Sequence, residues 1–348
     1  MQVWPLVLTT LRDYGTPPEP RLATVLPDGI APVEFALMSF VDKRLVFGGA
    51  GPGTPWGTLG QITARALESE GYQVRIEPEA SRGRCPGLVS AGTVDFGATQ
   101  TLLVRWAYTG QHRFKADGGF PRLRAIATIM FPAWLGIAAR WESGITDLSQ
   151  VAERRLPVRM LGGTGELFQP ILAHYGLSRE LIESWGGRFL PSLATTPGPQ
   201  YVVTPHVRAS DVDLILDNLY AAYTPEAAAF VEASVLLNLR FLALPDALIQ
   251  QICGEYGGVP GVIPYRLLRG VDAPTPSVYR PWQLIFGRDD MPEDFAYALA
   301  RAYDKQRDLF RQTHIPYSWD PAEVARTDVI PLHPGAERYY AERGYLSN

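Results

Sequence analysis

The chain has 348 residues, of which 46% are hydrophobic and 20% charged, and its formal net charge at pH 7 is −4. This length accommodates two domains of ordinary size, and the composition is that of a globular protein. The acidic charge balance and the lack of a Lys/Arg run argue against nucleic acid as a partner. No apolar run reaches the roughly 18 residues of a membrane helix, so we expect no direct membrane insertion.

The first 43 residues form a region of their own. They contain several prolines and have no strong periodicity before Val33–Phe40. Because the apolar side chains of that segment need cover, we expect residues 1–43 to be an extension that packs on the body. The first ten residues lack the basic region of a secretory signal. The location therefore stays open: periplasmic if a signal peptide has been removed, cytoplasmic if this is the full-length chain.

The segment Leu45–Gly57 combines an apolar strand pattern with a glycine-rich bend. It runs into Thr58–Ser69, where Leu59, Ile62 and Ala66 recur at helical spacing. That spacing predicts a helix with one apolar stripe against a sheet. The glycines leave backbone N–H groups open at the start of the helix, where the helix dipole favours negative charge. We therefore expect an anion-sized cradle at this bend.

Strand and helix patterns alternate along the rest of the chain. Apolar runs predict strands at Val74–Ile76, Val94–Ala98, Leu123–Met130, Leu135–Ala139, Val212–Leu216 and Ser277–Phe286. Helical spacing predicts helices at Leu102–Tyr108, Leu167–Tyr175, Pro225–Ala233, Pro245–Glu255 and Pro292–Phe310. This alternation favours an α/β fold with parallel sheets covered on both faces. The stretch Thr195–Pro205 is a predicted long loop.

Two further bends lie at positions equivalent to the first. Ser81–Gly87 follows the second predicted strand, and Gly162–Gly165 precedes the predicted helix Leu167–Tyr175. Open α/β sheets bind ligands at the carboxyl ends of their strands, where we expect these bends. No Gly-Lys-Ser/Thr ending and no ribose-binding acid accompany them, so neither a P-loop nor a dinucleotide site is indicated. The need for a tight turn between a strand and a helix explains any one such bend, but three of them together favour a shared ligand cleft.

The order of these motifs resembles that in the solute-binding receptors of TAXI-type TRAP transporters. Gly48–Gly57 is similar to the opening glycine-rich loop of that family, with Trp56 near the usual position of a tyrosine. Leu88–Gly97 and Met291–Leu299 are similar to two internal segments of the family, and Ile330–Tyr340 is almost identical to its closing motif. The resemblance covers residues 44–348.

The resemblance implies a type II periplasmic-binding-protein-like α/β fold, in which two lobes with mixed, mostly parallel sheets enclose a ligand cleft. Lobe 1 would comprise residues 44–133 plus 281–348 and lobe 2 residues 134–280, with crossings near Phe131–Leu135 and Ser277–Trp282. It also implies hinge closure on a small organic anion, namely a carboxylate, with aromatic carboxylates among the candidates. The implied partners are TRAP membrane subunits, and no cofactor is implied.

Candidate ligand contacts lie in the three bends and after predicted strands. They are Gly51, Gly53, Thr54, Trp56, Arg82, Arg84, Thr99, Gln100, Gly163, Thr164, Asn218 and Tyr265. The resemblance singles out Thr99, Gln100 and Tyr265, because the family places cleft contacts in the matching segments. Either Arg82 or Arg84 could clamp a carboxylate in a fork, although a loop arginine is more often simply solvated.

Cys85 supports a different hypothesis, a cytoplasmic lyase or decarboxylase that acts on a small carboxylate with the same scaffold. It precedes Pro86, which suits the first position of a helix, so the thiol would cap a helix N-terminus. With Arg82 and Arg84 nearby, its pKa would be lowered. The thiolate would then act as nucleophile or proton-transfer residue, with Glu166 as a base. The alternative is a small buried cysteine that fills space.

Metal sites and other catalytic sites are not indicated. The five histidines have no metal-ligand spacing with one another or with carboxylates, so we expect no metal. His333 in the closing motif is explained by a structural hydrogen bond, and Cys253 lies on the apolar face of a predicted helix, which places it in the core. Trp106 and Trp134 fall near predicted cleft edges and are either core residues or stacking partners of an aromatic ligand.

Overall fold

The computed structural model describes residues 40–49, 55–78, 83–190, 207, 210–221, 225–313, 317–326 and 328–346. Most of the predicted extension 1–43 and all of the predicted loop Thr195–Pro205 lie outside the described residues. Within the extension, the end is described: Phe40 is buried, and its ring centroid lies 4.9 Å from that of Phe295.

Strands and helices alternate through the described residues. The strands are β1 (Arg44–Gly48), β2 (Gln73–Glu77), β3 (Phe96–Gln100), β4 (Leu123–Met130), β5 (Ala133–Arg140), β6 (Arg159–Gly162), β7 (Arg188–Leu190), β8 (Leu214–Tyr220), β9 (Leu239–Phe241), β10 (Val259–Ile263), β11 (Thr275–Tyr279) and β12 (Trp282–Arg288). The helices are α1 (Pro55–Glu68), α2 (Cys85–Ser90), α3 (Thr101–Thr109), α4 (Ser149–Glu153), α5 (Gln169–His174), α6 (Arg179–Ser184), α7 (Pro225–Leu236), α8 (Asp246–Tyr256), α9 (Glu293–Lys305), α10 (Asp308–Arg311) and α11 (Pro334–Arg343).

The first sheet has the strand order β2-β1-β3-β12-β4 and forms lobe 1 with the helices packed on it. β1 is parallel to β2 and β3, whereas β12 is antiparallel to β3 and β4. The sheet therefore joins the early part of the chain to a strand from its last quarter. The helix after β1 buries Leu59, Ile62 and Ala66, so the apolar stripe predicted there is confirmed.

The second sheet has the order β10-β11-β5-β8-β6-β7, with β9 also paired to β5, and forms lobe 2. The predicted two-lobed α/β fold with mixed sheets is confirmed. The expectation that parallel pairs predominate is wrong. Among the described strands, four pairs are parallel and six antiparallel. Five of the six antiparallel pairs involve β5 or β12, which enter their sheets directly from the other lobe, and the sixth is the pair β10–β11.

The chain passes between the lobes twice. It leaves the first sheet after Phe131 and returns between Arg280 and Pro281. The Phe131 N–H donates to the Pro281 carbonyl, and the Arg280 N–H donates to the Ala133 carbonyl, so the two crossings are hydrogen-bonded to each other. The single strand predicted over Ser277–Phe286 is two strands, because the chain changes sheets at this point and Pro281 has no N–H to continue a ladder.

Buried apolar side chains form a core in each lobe. Phe47, Phe96 and Phe286 lie in the core of lobe 1. In lobe 2, a separate cluster lies on each face of the sheet, and successive residues of β5 alternate between them: Leu135 faces one cluster and Trp134 the other. None of the helices in the described ranges has the length and apolarity needed to cross a membrane.

The carboxyl-terminal helices pack on lobe 1. The helix predicted over Pro292–Phe310 is interrupted, and the short α10 turns Phe310 into the core, where its ring centroid lies 5.9 Å from that of Tyr303. α11 begins against the start of α9: a Cβ added at Gly335 would collide with the Glu293 carbonyl oxygen. The two carboxyl-terminal sequence motifs therefore meet at one helix contact.

Candidate functional site

Arg280 is a buried arginine at the return crossing between the lobes, with 8% of its surface exposed. Its Nη1 donates to Gln100 Oε1 in lobe 1 over 3.3 Å, and its Nη2 donates to Asn218 Oδ1 in lobe 2. The buried Nε has no hydrogen-bond partner among the described residues. The guanidinium therefore connects the two lobes and leaves its Nε–H without an acceptor in the described residues.

The charge of Arg280 is not balanced by any carboxylate of the described residues. Both of its acceptors are neutral amides. Burial lowers the pKa of Arg280 to about 10, and the interaction with Tyr220 acts in the opposite direction. A buried cation without an anion is unfavourable by several kcal/mol. A carboxylate supplies the missing charge and forms paired, charge-assisted hydrogen bonds with a guanidinium, so this arrangement suits an anionic ligand.

The local fold also brings Gln100, Tyr220 and Gly258 to Arg280. Gln100 ends β3 and precedes α3, but its side chain makes no cap hydrogen bond, so it reaches the guanidinium instead. Its Nε2 also lies 3.5 Å from the Tyr220 hydroxyl. The Tyr220 ring is stacked on Phe131, with centroids 5.1 Å apart and 4° between the planes. Gly258 makes room for the arginine stem, since an added Cβ would lie 2.8 Å from Arg280 Cγ.

Two adjoining cavities meet this cluster. The inner cavity has a volume of about 10 Å³, room for about one water, and is lined by Gln100, Arg280 and Tyr256 among others. The outer cavity has a volume of about 280 Å³ and includes Arg105 and Cys253 in its lining, a size near the lower limit for small-molecule sites. The lining residues that both cavities share are Thr101, Leu102, Gly257, Gly258 and Trp282.

The lobes also touch beside the cluster. Glu166 Oε2 in lobe 2 accepts from Arg113 of lobe 1, over 2.6 Å from Nη2 and 2.9 Å from Nε. The Tyr256 ring of lobe 2 lies 5.8 Å from the Trp106 ring and 5.2 Å from the His112 ring. These contacts join lobe 1 to lobe 2 next to the Arg280 cluster.

Residues 48–344 match the sequence model of the NMT1-like family. The chain belongs to the NMT1-like family. The matched region includes both crossings and every described strand except most of β1, so the Arg280 cluster lies wholly inside it.

Several solved structures are similar to this NMT1-like protein at low sequence identity. One is described as a periplasmic transporter; it is 15% identical, with 87% of this chain and 92% of that chain covered and a TM-score of 0.45. A TRAP periplasmic solute-binding protein from Sulfitobacter sp. NAS-14.1 with bound β-D-galacturonate is 12% identical, with coverages of 77% and 80% and a TM-score of 0.40. MatC from Rhodopseudomonas palustris with bound malate is 14% identical, with coverages of 86% and 97% and a TM-score of 0.44.

Two of the contacts predicted for this NMT1-like protein, Gln100 and Asn218, meet at Arg280. Four predicted contacts lie outside the described residues: Gly51, Gly53, Thr54 and Arg82. Thr99 is buried in β3, Trp56 is half-buried near the start of α1, and Arg84 is exposed. None of these last three lines either cavity.

The predicted contacts Gly163, Thr164 and Tyr265 do not join the cluster. The Gly163 N–H donates to the Leu216 carbonyl over 2.8 Å, so it is not available to a ligand. The helix expected directly after this bend begins only at Gln169. Thr164 is exposed, and Tyr265, which follows the edge strand β10, is 54% exposed.

The expected activation of Cys85 is wrong. Its thiol is buried between β1 and β3, where Sγ lies 3.5 Å from the Gly48 carbonyl oxygen and a Cβ added at Gly97 would collide with it. Burial raises the pKa of the Cys85 thiol to about 12. Cys85 is also the first residue of α2 rather than its cap, which is Arg84. The structure supports the alternative reading of a cysteine that fills space.

The other expected catalytic or aromatic residues also have structural roles. Glu166 is held by Arg113 and is not a free base. Trp106 and Trp134 are buried core residues. Cys253, expected in the core, is only half-buried and lines the outer cavity. In the parts of the chain that the structure describes, no group of three or more His, Cys, Asp or Glu residues is arranged to hold a metal ion.

The residues that the sequence interpretation missed are Arg280, Tyr220 and Arg105. Arg280 is the one charged residue in Ser277–Phe286, and a charged residue inside a predicted buried strand is the signal that could have found it. Tyr220 and Arg105 carry no comparable signal, because each lies in an amphipathic segment where a polar side chain is ordinary.

Proposed function

We propose that this protein is a solute receptor that binds a small organic carboxylate between its two lobes, with Arg280 as the anchor. The observation that carries the proposal is a buried guanidinium at the hinge with neutral partners from both lobes and an unused Nε–H. A carboxylate bound beside Arg280 supplies the counter-charge that the described residues do not provide. A micromolar site needs about 8 kcal/mol in total, of which a charged hydrogen bond supplies about 1.5–3 kcal/mol.

The position of Arg280 between the two lobes couples ligand binding to closure of the lobes. Gln100 belongs to lobe 1 and Asn218 to lobe 2, and both touch the guanidinium that would hold the ligand. A ligand with contacts to both lobes favours the closed state by the difference between its affinities for the closed and open forms. We therefore propose that residues 44–133 plus 281–348 move against residues 134–280 about the paired crossings.

The transport role rests on the sequence motifs. Leu88–Gly97 and Ile330–Tyr340 resemble segments of TAXI-type receptors, and on that resemblance we propose the TAXI subtype, the periplasm as the location and TRAP membrane subunits as partners. Neither residue proposed as catalytic in the lyase alternative fits that role, because the Cys85 thiol is buried with a raised pKa and Glu166 is ion-paired.

Isothermal titration calorimetry with a panel of carboxylates, including malate and galacturonate, tests the proposal. We expect at least one carboxylate to bind the wild-type protein and to lose about 10- to 100-fold in affinity in Arg280→Lys, which keeps the charge but loses the fork. Arg288→Lys is the matched control: Arg288 is equally buried in β12 but donates to Asp290 and to the Val89 carbonyl. Equal losses in the two variants, or no binding by any member of the panel, would contradict the proposal.

A further inference from the structure

The inner cavity is too small for a whole ligand. Its volume of about 10 Å³ admits one water-sized group, such as a single carboxylate oxygen, beside Arg280. A carboxylate bound there must therefore extend past the shared lining residues into the outer cavity of about 280 Å³. Of the shared lining, Leu102 and Trp282 are apolar, and the Thr101 hydroxyl donates to the Trp282 carbonyl over 3.4 Å. The passage thus suits a short apolar spacer.

The outer cavity contains a second arginine without a carboxylate partner in the described parts of the chain. Arg105 donates from Nη2 to the backbone carbonyl of Glu255 over 3.0 Å, which leaves its charge unbalanced. It lies on α3, four residues after Thr101, which directly follows Gln100; the rise from Thr101 to Arg105 is about 6 Å along the helix axis. The cavity wall near Arg105 is therefore one short molecule away from the Arg280 cluster.

The remaining charges of the outer cavity are already paired. Arg326 donates from Nε and Nη2 to Asp328 over 3.0 Å and 2.7 Å, and from Nη1 to Glu323 over 2.9 Å. Its guanidinium also covers the Trp282 ring, 4.0 Å from the centroid. Since Arg326 is occupied and Asp328 is compensated, Arg105 is the cation that can receive a ligand group.

We propose that the ligand carries two anionic groups, a carboxylate at Arg280 and a second acid group held by Arg105 in the outer cavity. This inference rests on the proposed function and narrows it to diacids with a short apolar spacer. The second acid group is a carboxylate, sulfonate or phosphate, since each accepts from a guanidinium in the same way. Arg105 is then a specificity residue that favours diacids over monoacids, because only a diacid has a second acid group to pair with it.

Calorimetry with matched ligand pairs tests the inference. Each pair is a straight-chain or aromatic diacid and its monomethyl ester, which removes one charge and adds one methyl group. We expect the wild-type protein to bind the best diacid at least tenfold more tightly than its ester. In Arg105→Gln, which keeps a donor for the Glu255 carbonyl, we expect the diacid to lose that preference while the affinity for the ester stays within twofold. Arg65→Gln on the exposed face of α1 is the control and should leave both affinities unchanged.

The outcomes separate this inference from the proposed function. If diacid and ester bind equally well, or if Arg105→Gln weakens both to the same extent, the second acid group is excluded, although an Arg280-dependent affinity for the ester would still support the receptor. If neither ligand of any pair binds the wild-type protein, both the receptor and the diacid fail.

Discussion

The Arg113 guanidinium and the Glu166 carboxylate meet across the gap between the lobes, with 2.6 Å between Nη2 and Oε2. Like the Arg280 cluster and the Arg105 contact, this ion pair is a direct polar link between lobes 1 and 2 in the described residues. Both side chains remain partly exposed, 43% for Arg113 and 33% for Glu166, so water and salt screen the pair. The pair therefore contributes only weakly to the contact between the lobes.

Loss of the Arg113–Glu166 ion pair should weaken ligand binding only slightly. An exposed ion pair contributes up to about 1 kcal/mol, so we expect Glu166→Gln to lower the affinity for the best carboxylate by no more than about fivefold. The double variant Arg113→Gln/Glu166→Gln should bind like either single variant, and the difference from wild type should shrink at high salt. A loss of more than tenfold in Glu166→Gln alone would mean that Glu166 touches the ligand. Titration calorimetry at two salt concentrations measures these effects.

Cys85 should be unreactive in the folded protein. With a pKa raised to about 12, roughly one thiol in ten thousand is ionised at pH 8, and the side chain is buried. We expect a thiol reagent to label the half-buried Cys253 first and Cys85 only on unfolding. Cys85→Ala should lower the free energy of unfolding by about 1 kcal/mol and leave carboxylate affinity unchanged. Rapid labelling of Cys85 in the native state, read by mass spectrometry of peptides, would restore the lyase hypothesis.

The packing of α11 against α9 leaves no room for a side chain at position 335. A methyl group there collides with the Glu293 carbonyl oxygen, so we expect Gly335→Ala to lower the free energy of unfolding by about 1–3 kcal/mol. Gly254 in α8 is the matched control, because a Cβ there meets no atom within 4 Å. Gly254→Ala should stabilise the protein by about 0.5–1 kcal/mol through helix propensity. Urea unfolding of the two variants gives both values, and an unaffected Gly335→Ala variant would disprove the packing described for α11.

Stability should fall as the pH drops below neutrality because of His333. This side chain is fully buried at the N-cap of α11, where its Nδ1 accepts from the Gly335 N–H over 3.3 Å. Burial lowers the pKa of His333, and Arg124 acts in the same direction, whereas the Met291 carbonyl, Glu293 and Asp289 oppose it. The unfolded chain, with a histidine pKa of about 6.5, therefore binds the proton more readily.

The sign of this effect follows from linkage. The stabilising contribution of neutral His333 is complete above about pH 6.5 and is lost progressively as the pH falls toward the lowered pKa of the folded state. Urea unfolding at about pH 7.5 and about pH 5.5 should show a smaller free energy of unfolding at the lower pH. His333→Asn keeps a cap acceptor that does not titrate, and it should flatten this dependence. An equally steep dependence in His333→Asn would assign the effect to other groups.

Much of the fold was predictable from the sequence, because apolar periodicity marks most strands and helices that face a core. The strand Leu123–Met130 is found with the predicted bounds, and the predicted stripe of Leu59, Ile62 and Ala66 is buried. The break between Tyr279 and Trp282 did not follow from periodicity, although the family resemblance implied a crossing near Ser277–Trp282. Periodicity reports that a strand is buried, but it carries no information about which of two sheets the strand belongs to.

The candidate site was predictable only in part. Gln100 and Asn218 were found because polar residues near the ends of strands face ligand clefts in open sheets. Cys85 was misjudged because its proximity to Pro86 and Arg84 along the chain says nothing about the Gly48 and Gly97 backbones that enclose the thiol. The setting of Arg280 depends on contacts with residues 62 and 180 positions away, which no local pattern encodes.

The most direct test of the central claim is the ¹⁵N–¹H resonance of the Arg280 Nε group in labelled protein, assigned by its absence from Arg280→Lys. This Nε–H has no acceptor in the described structure. If a carboxylate binds at Arg280, titration should shift this resonance markedly downfield and saturate at the same concentration as the calorimetric signal. Saturable carboxylate binding with the Arg280 resonance unmoved would contradict the account.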